Sequence, residues 1–295
     1  MKTTSCLRCL FALLLSAALL GLAACASPPG ASEAPTLSPQ RIALIVASPE
    51  RSAADRSNDL RRNPEAMLAF IGIRPGWVAL DVSAGGGYTS ELLARAVGPT
   101  GRVYGQSPPR DPSRTPPAPA APEGNSNPGA PAPVAAPRPA TPRTSAMALT
   151  ERQQKLRDAS IAAAPIVAVA QKFEDPVPAA LANAGLDLVT LMFNYHDLGF
   201  LGVDRTLMNR ALFRALKPGG LYLIADHAGR PGTGISESGT LHRIEQAFLR
   251  SEVEAAGFRL AAEGLFLRNP SDPRDQNTPN PPQPKDEFVL KFVKP

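Results

Sequence analysis

Val78-Ala79-Leu80-Asp81-Val82-Ser83-Ala84-Gly85-Gly86-Gly87-Tyr88 is the stretch on which the fold of this chain turns. A short apolar run that closes on an acid and meets three consecutive glycines reads as a buried strand opening into a tight turn. Glycine suits such a turn because it lets the backbone approach a ligand closely and take left-handed dihedrals. Past Tyr88, the side chains of Leu92, Leu93, Ala96 and Val97 fall on one face of a helix that Gly98 stops. Upstream, Asn63-Pro64-Glu65 is a helix start, with a capping amide, a proline at the first helical position and an acid in the first turn. That helix is predicted to reach about Ile71, and Arg74-Pro75-Gly76 then turns the chain into a strand from Trp77 to Val82.

The pattern repeats downstream. Strands are predicted at Arg102–Gly105, Pro165–Val169, Leu186–Phe193 and Leu221–Ala225, with a helix from Leu149 to Ala163. A second helix follows its cap Asp204, packs Leu207, Met208, Ala211, Leu212, Ala215 and Leu216, and ends at Lys217-Pro218-Gly219-Gly220. Two helical pieces are predicted over Gly239–Ala256, stopped by Gly257, followed by strands at Phe258–Ala262 and Phe288–Val293. Continuous apolar strands alternating with helices imply a parallel sheet covered on both faces. The last two strands lack an intervening helix and should be antiparallel neighbours. The expected fold is therefore α/β and Rossmann-like: a mostly parallel, seven-stranded twisted sheet with one reversed strand, binding its ligand outside the carboxyl ends of the central strands.

The segments outside this pattern have their own signatures. Lys2 and Arg8 precede an apolar stretch, Leu10–Leu22, too short to span a bilayer comfortably, so residues 1–24 read as a signal peptide. Leu22-Ala23-Ala24-Cys25 resembles a bacterial lipobox, which implies cleavage before Cys25, a lipid anchor on its thiol and a place on the periplasmic side of the cell envelope; Ala24-Cys25-Ala26 also fits an ordinary signal cleavage site. Residues 25–50, Pro/Ser/Ala-rich at their start, are assigned to a tether, leaving 51–295 as the folded domain. Between Ser107 and Thr144 lie 13 of the 33 prolines and hardly a large apolar side chain, so 107–144 is expected to be a disordered insert, with 269–285 a shorter segment of the same kind. With Cys6 and Cys9 in the signal and Cys25 at its boundary, the domain has no thiols for a disulfide or a cysteine zinc site. The net charge of +5 comes from arginines scattered among acids, with no basic run beside aromatics, which excludes a nucleic-acid footprint.

Three further segments accompany the glycine-rich turn: Leu216-Lys217-Pro218-Gly219-Gly220-Leu221-Tyr222, Ala255-Ala256-Gly257-Phe258, and Phe173-Glu174-Asp175-Pro176. Together with Val78–Tyr88 they resemble the class I S-adenosylmethionine-dependent methyltransferases. Asn194-Tyr195-His196-Asp197, Ala225-Asp226-His227 and Thr240-Leu241-His242-Arg243-Ile244 are similar to an exported, lipoprotein-like group within that family. The resemblance covers roughly Arg51 to Pro295 apart from the insert. It implies that Asp81, Ser83, Gly85, Gly86, Gly87 and Tyr88 surround the methionine end of S-adenosylmethionine, that Asp175 meets the adenine, and that Asn194 faces the transferable methyl. Two positions depart from the family. Ser83 replaces a glycine, which costs nothing if that position needs no positive φ. Gln106-Ser107 stands where the family usually has an acid gripping the ribose hydroxyls, a loss of roughly ten- to a hundredfold in affinity unless Gln106 recovers part of it.

All three histidines, His196, His227 and His242, fall at the ligand end of the expected sheet, two of them beside Asp197 and Asp226. A histidine next to a carboxylate is a general base near neutral pH, as the transfer of a methyl group to a hydroxyl requires. Histidines in such loops also commonly just satisfy backbone carbonyls, and Asp197 could serve as a cap. No residue is assigned as a metal ligand outright, although Asp197, Asp226 and His227 could hold a divalent ion that orients a substrate. The leading expectation is an enzyme that methylates a small molecule, with O-methylation favoured. The alternative is an exported ligand-binding lipoprotein that keeps the fold without the reaction, and metal-assisted hydrolysis is a third class without a motif of its own.

Overall fold

The computed structural model describes residues 34–109, 143–279 and 283–295. The signal segment, Cys25 and most of the proline-rich insert lie outside the described residues. Strand β1 (Val78–Val82) is central, parallel to β2 (Arg102–Ser107) on one side and to β4 (Leu186–Met192) on the other. The seven-stranded sheet has the order β3-β2-β1-β4-β5-β7-β6, with β3 at Ile166–Ala170, β5 at Leu216–His227, β6 at Arg259–Gly264 and β7 at Glu287–Val293. Only β7 runs backwards, antiparallel to both β5 and β6. The expected Rossmann-like fold is present, reversed strand included. Because the chain goes outward through β1, β2 and β3 before returning to place β4 beside β1, the order of strands reverses there, and a crevice opens where the loops after β1 and β4 part.

Alternate side chains of each strand supply two cores, which is why the strands read as unbroken apolar runs. Ala79, Leu188 and Leu223 pack on one face with helices α1 (Pro39–Val46), α3 (Pro64–Ile71), α4 (Tyr88–Val97) and α5 (Ser145–Asp158). Leu80, Val189 and Ile224 pack on the other with α6 (Tyr195–Phe200), α7 (Arg205–Ala215) and α8 (Gln246–Ala255). Helix α2 (Ala53–Arg62) lies between α1 and α3 in sequence, and Asn63, at φ 42°, ends it and caps α3.

Several boundaries differ from expectation, each for a local reason. The tether does not extend to residue 50: Ser38 caps α1, which buries Ile42 and Ile45 in the core. Helix α5 starts before Leu149 because the Thr144 side chain caps it, and it ends at Asp158, ahead of Ser160 at φ 53°. Strand β5 runs through Lys217-Pro218-Gly219-Gly220 instead of starting after it, with a register shift against β4 between Leu186 and Leu188. Of the helical region predicted over 239–256 only α8 is a helix, since His242 takes φ 50° and Ile244 bridges to Ala228.

The segment 269–285, expected to be disordered, is described apart from 280–282 and is tied down by charge. Arg243, fully buried, pairs with Asp272 at 2.8 Å and donates to the carbonyls of Ala228 and Gln276. Asp272 in turn accepts the amide of Asp286. Composition identified a segment with little apolar surface, but a satisfied buried guanidinium orders it instead.

Candidate functional site

The turn after β1 begins with Ser83 at φ 59°, so this position does take the left-handed backbone that a glycine would accept freely, contrary to the expectation from sequence. Ser83 is held there from both sides: its amide donates to Gln106 Oε1 at 3.1 Å and its hydroxyl to Asn194 Oδ1 at 2.6 Å. Gly85 and Gly86 are exposed, a Cβ added at Gly86 would meet nothing within 4 Å, and the Gly86 carbonyl accepts a hydrogen bond from Arg152 Nε. Gly87 has a different duty. A Cβ there would come within 2.8 Å of both Arg152 and Leu149, so the third glycine lets α5 pack against the turn.

Across the crevice, α6 and the loop before α8 bring His196, Asp197 and His242 together. Asp197 Oδ1 lies 3.0 Å from His242 Nδ1 and 3.1 Å from His196 Nε2, while its Oδ2 accepts a hydrogen bond from Asn194 Nδ2 at 2.8 Å. His196 Nδ1 is 2.6 Å from Asp226 Oδ1, and the Asp226 carboxylate also accepts the amides of His196 and His227. Burial alone would lower the pKa of His196, but attraction to Asp226 and Asp197 outweighs it and pushes the value up to about 10. The side chains differ in access: that of His196 is 0% exposed, against 27% for His242 and 22% for Asp197. A base must reach its substrate, so of the three histidines only His242 is placed to be one, and His196 is its buried neighbour. His227 is also buried, with Nδ1 3.0 Å from Glu287 Oε1.

The other residues singled out in the sequence have mixed fates. Asp81 is buried and occupied by hydrogen bonds from Ser90 Oγ (2.6 Å) and Thr190 Oγ1 (2.9 Å). Burial pushes its pKa up to about 6, only partly offset by those hydrogen bonds and by Arg62. It braces β1 against α4 and β4. Gln106 is fully buried, and both ends of its amide are engaged, with Nε2 donating to the carbonyl of Gln171 at 2.7 Å. Its amide is turned into the protein, bridging the turn after β1 and the segment after β3. Tyr88 donates its hydroxyl to Asp59 at 2.6 Å, tying α4 to α2, and Asp175 stands exposed in the turn after β3. The metal set Asp197, Asp226 and His227 is not assembled, because Asp226 serves His196 and His227 faces Glu287.

Two residues of the site were missed from sequence. Phe193, closing β4, takes φ 59°, an outlier for a bulky side chain, and both Arg61 and Arg62 lie over its ring at 4.7 and 4.8 Å. Arg61 pairs with Glu287 at 2.7 Å. Arg62 has no salt bridge among the described residues, its Nε is buried without a hydrogen-bond partner, and burial lowers its pKa. It lines an apolar pocket with Met67, Tyr88, Leu92, Thr190 and Phe193, between α3, α4 and the carboxyl end of β4. Only its place just ahead of Asn63-Pro64 marked it among many scattered arginines.

No protein-family model matches the chain, and no curated protein matches it in sequence. Solved structures do match its fold. An S-adenosylmethionine-dependent methyltransferase from Aquifex aeolicus superposes with a TM-score of 0.51 at 16% identity, over 88% of this chain and 100% of that one. An arsenic(III) S-adenosylmethionine methyltransferase from Chlamydomonas reinhardtii gives 0.51 at 14% identity, over 88% of this chain and 74% of its own. At such identities the likeness establishes the Rossmann-like methyltransferase fold and nothing finer.

Proposed function

We propose that this chain is an S-adenosylmethionine-dependent methyltransferase that modifies an oxygen of a small molecule, with His242 and Asp197 as its base. The observation that carries this reading is a continuous line of contacts across the crevice. Ser83 donates to Asn194 (2.6 Å), Asn194 to Asp197 (2.8 Å), and Asp197 holds His242 Nδ1 (3.0 Å). The turn expected to hold the cofactor and the base that would serve the acceptor are thus positioned by one another.

The residues present fit the cofactor at its amino-acid end. Gly85 and Gly86 are exposed at the turn, and the Arg62 guanidinium is a buried cation without a salt bridge among the described residues, suited to a carboxylate. They fit less well at the ribose, since Gln106 is committed elsewhere. When bound, S-adenosylmethionine would supply an activated methyl group. The work left to the protein is positional and protolytic. With Nδ1–H given to Asp197, His242 keeps the Nε2 lone pair free to take a proton from an acceptor hydroxyl. Buried between two carboxylates, which raise its pKa, His196 links Asp226 to Asp197 and holds both in place beside His242.

Calorimetric titration of S-adenosylmethionine into the full chain tests this reading. Micromolar binding, followed by transfer of labelled methyl to a hydroxylated small molecule, is the expected result. Absence of binding at millimolar cofactor would overturn it and return the fold to the ligand-binding alternative. On sequence alone we also propose that the protein is exported and anchored through Cys25 at the cell envelope. No helix among the described residues is long and apolar enough to cross a membrane. Labelled palmitate should enter the wild-type chain and be absent from Cys25→Ser.

A further inference from the structure

We infer that His196, Asp197 and His242 form a binding site for a divalent first-row transition metal, open on its crevice side. Each residue offers one ligand atom, and the three atoms lie within 4.8 Å of one another. Zinc with bonds of about 2.0–2.1 Å holds neighbouring tetrahedral ligands roughly 3.3 Å apart. Asp197 Oδ1 stands 3.0 Å from the nitrogen of His242 and 3.1 Å from that of His196, close to those tetrahedral edges. His196 Nε2 is buried and meets no polar neighbour but Asp197 Oδ1, 3.1 Å away, so it is turned toward the shared point.

The surroundings are those of a metal ligand set. His196 Nδ1 faces Asp226 Oδ1 at 2.6 Å, and that carboxylate is itself fixed by two backbone amides. A carboxylate behind an imidazole fixes the ring's orientation and raises the basicity of the nitrogen turned toward the metal. Asn194 orients Asp197 in the same way, donating to Oδ2 and leaving Oδ1 for the shared point. His242 reaches the cluster from a left-handed backbone at φ 50°, a strained conformation of the kind that persists where the surroundings impose it. Two imidazoles and one carboxylate suit zinc, manganese or iron(II) and disfavour magnesium or calcium, which take oxygen ligands. The partial exposure of Asp197 and His242 leaves the remaining coordination positions facing the crevice. There the ion would take an oxygen of a substrate and lower its pKa, so that the hydroxyl proton passes to solvent at the open crevice and not to His242.

Metal binding is measured without any methyl transfer, so its failure is distinguishable from failure of the proposed reaction; with the ion bound, His242 is a ligand and no longer the base. The experiment is a zinc titration of the full chain carrying Cys6→Ser, Cys9→Ser and Cys25→Ser, so that no thiol competes, repeated with cobalt(II) to follow its visible d–d bands. One zinc per chain is expected, with micromolar or tighter affinity, and a cobalt spectrum typical of nitrogen and oxygen ligands. Asp197→Asn and His242→Ala, both at partly exposed positions, should each weaken binding at least tenfold while the circular dichroism stays unchanged. Asp226→Asn should weaken it by roughly ten- to a hundredfold without removing a ligand. No binding at millimolar zinc, or binding that both Asp197→Asn and His242→Ala leave intact, would overturn the assignment.

Discussion

Gln106 accepts the amide of Ser83 at 3.1 Å, so the side chain ending β2 holds up the turn that ends β1. An acid at this position grips the ribose elsewhere in the family that the sequence resembles; here the amide is turned inward. Restoring an acid should therefore not restore function. Gln106→Glu would put a carboxylate against the Gln171 carbonyl, where it has no proton to donate, and is expected to lose roughly 3 kcal/mol of stability. Thermal melts with parallel cofactor titrations would check this, and a stable variant with tighter binding would refute it.

Asp81 makes stability depend on pH in a direction opposite to that of most carboxylates. Its folded pKa, about 6, is above its ordinary value of 3.8, so the folded state binds the proton more tightly. The contribution is therefore fully present below the ordinary value and is lost as pH rises through about 6, at a cost of about 3 kcal/mol. Asp81→Asn can still engage both Ser90 and Thr190 and should remove this slope. Urea melts between acid and neutral pH would compare the two slopes.

Arg62→Leu should separate binding from stability. The buried guanidinium has no ion-pair partner among the described residues, so its replacement is expected to leave the melting temperature equal or higher. Cofactor affinity should fall about ten- to a hundredfold through loss of a charged hydrogen bond. Unchanged affinity would place the carboxylate elsewhere.

His242→Gln should reduce turnover by about a hundredfold or more with little change in cofactor affinity, as expected on removing a base. Asn194→Ala would act more mildly through Asp197 and should lower kcat while sparing the fold. Equal losses in affinity and turnover for His242→Gln would indicate a structural role instead.

Arg243→Met leaves the Asp272 carboxylate buried and unpaired and should cost about 3–5 kcal/mol. Amide exchange would show the opening concentrated in 265–286, with β1 to β4 protected. Uniform exchange over the whole domain would contradict that local role.

Much of the fold was legible because its inner strands are buried on both faces and its helices carry caps and stripes that periodicity reports. Asn63, Asp204 and Gly98 lie at the helix ends read from sequence. The misreadings fall where a tertiary contact decides. Ile244 pairs with Ala228, Thr144 caps α5 from within what looked like insert, and Arg243 orders a proline-rich segment that composition could only describe as poor in core. The site was half legible. Histidines beside acids were visible, and so was the end of the sheet where they gather. Access was not: nothing local distinguishes His196, sealed at the sheet end, from His242 at the crevice. Nor does sequence show that Gln106 turns inward or that Arg62 forms no salt bridge among the described residues, since both depend on partners far along the chain.

The position of β7 between β5 and β6 has a consequence for how the protein is made. During synthesis β6 emerges first but hydrogen-bonds within the sheet only to β7, so it has no place to dock until residues 287–293 arrive. Until then the nascent chain has at most five joined strands, with β5 as a bare edge open to pairing with other chains. Closure of the sheet is thus deferred until residues 287–293 have been translated.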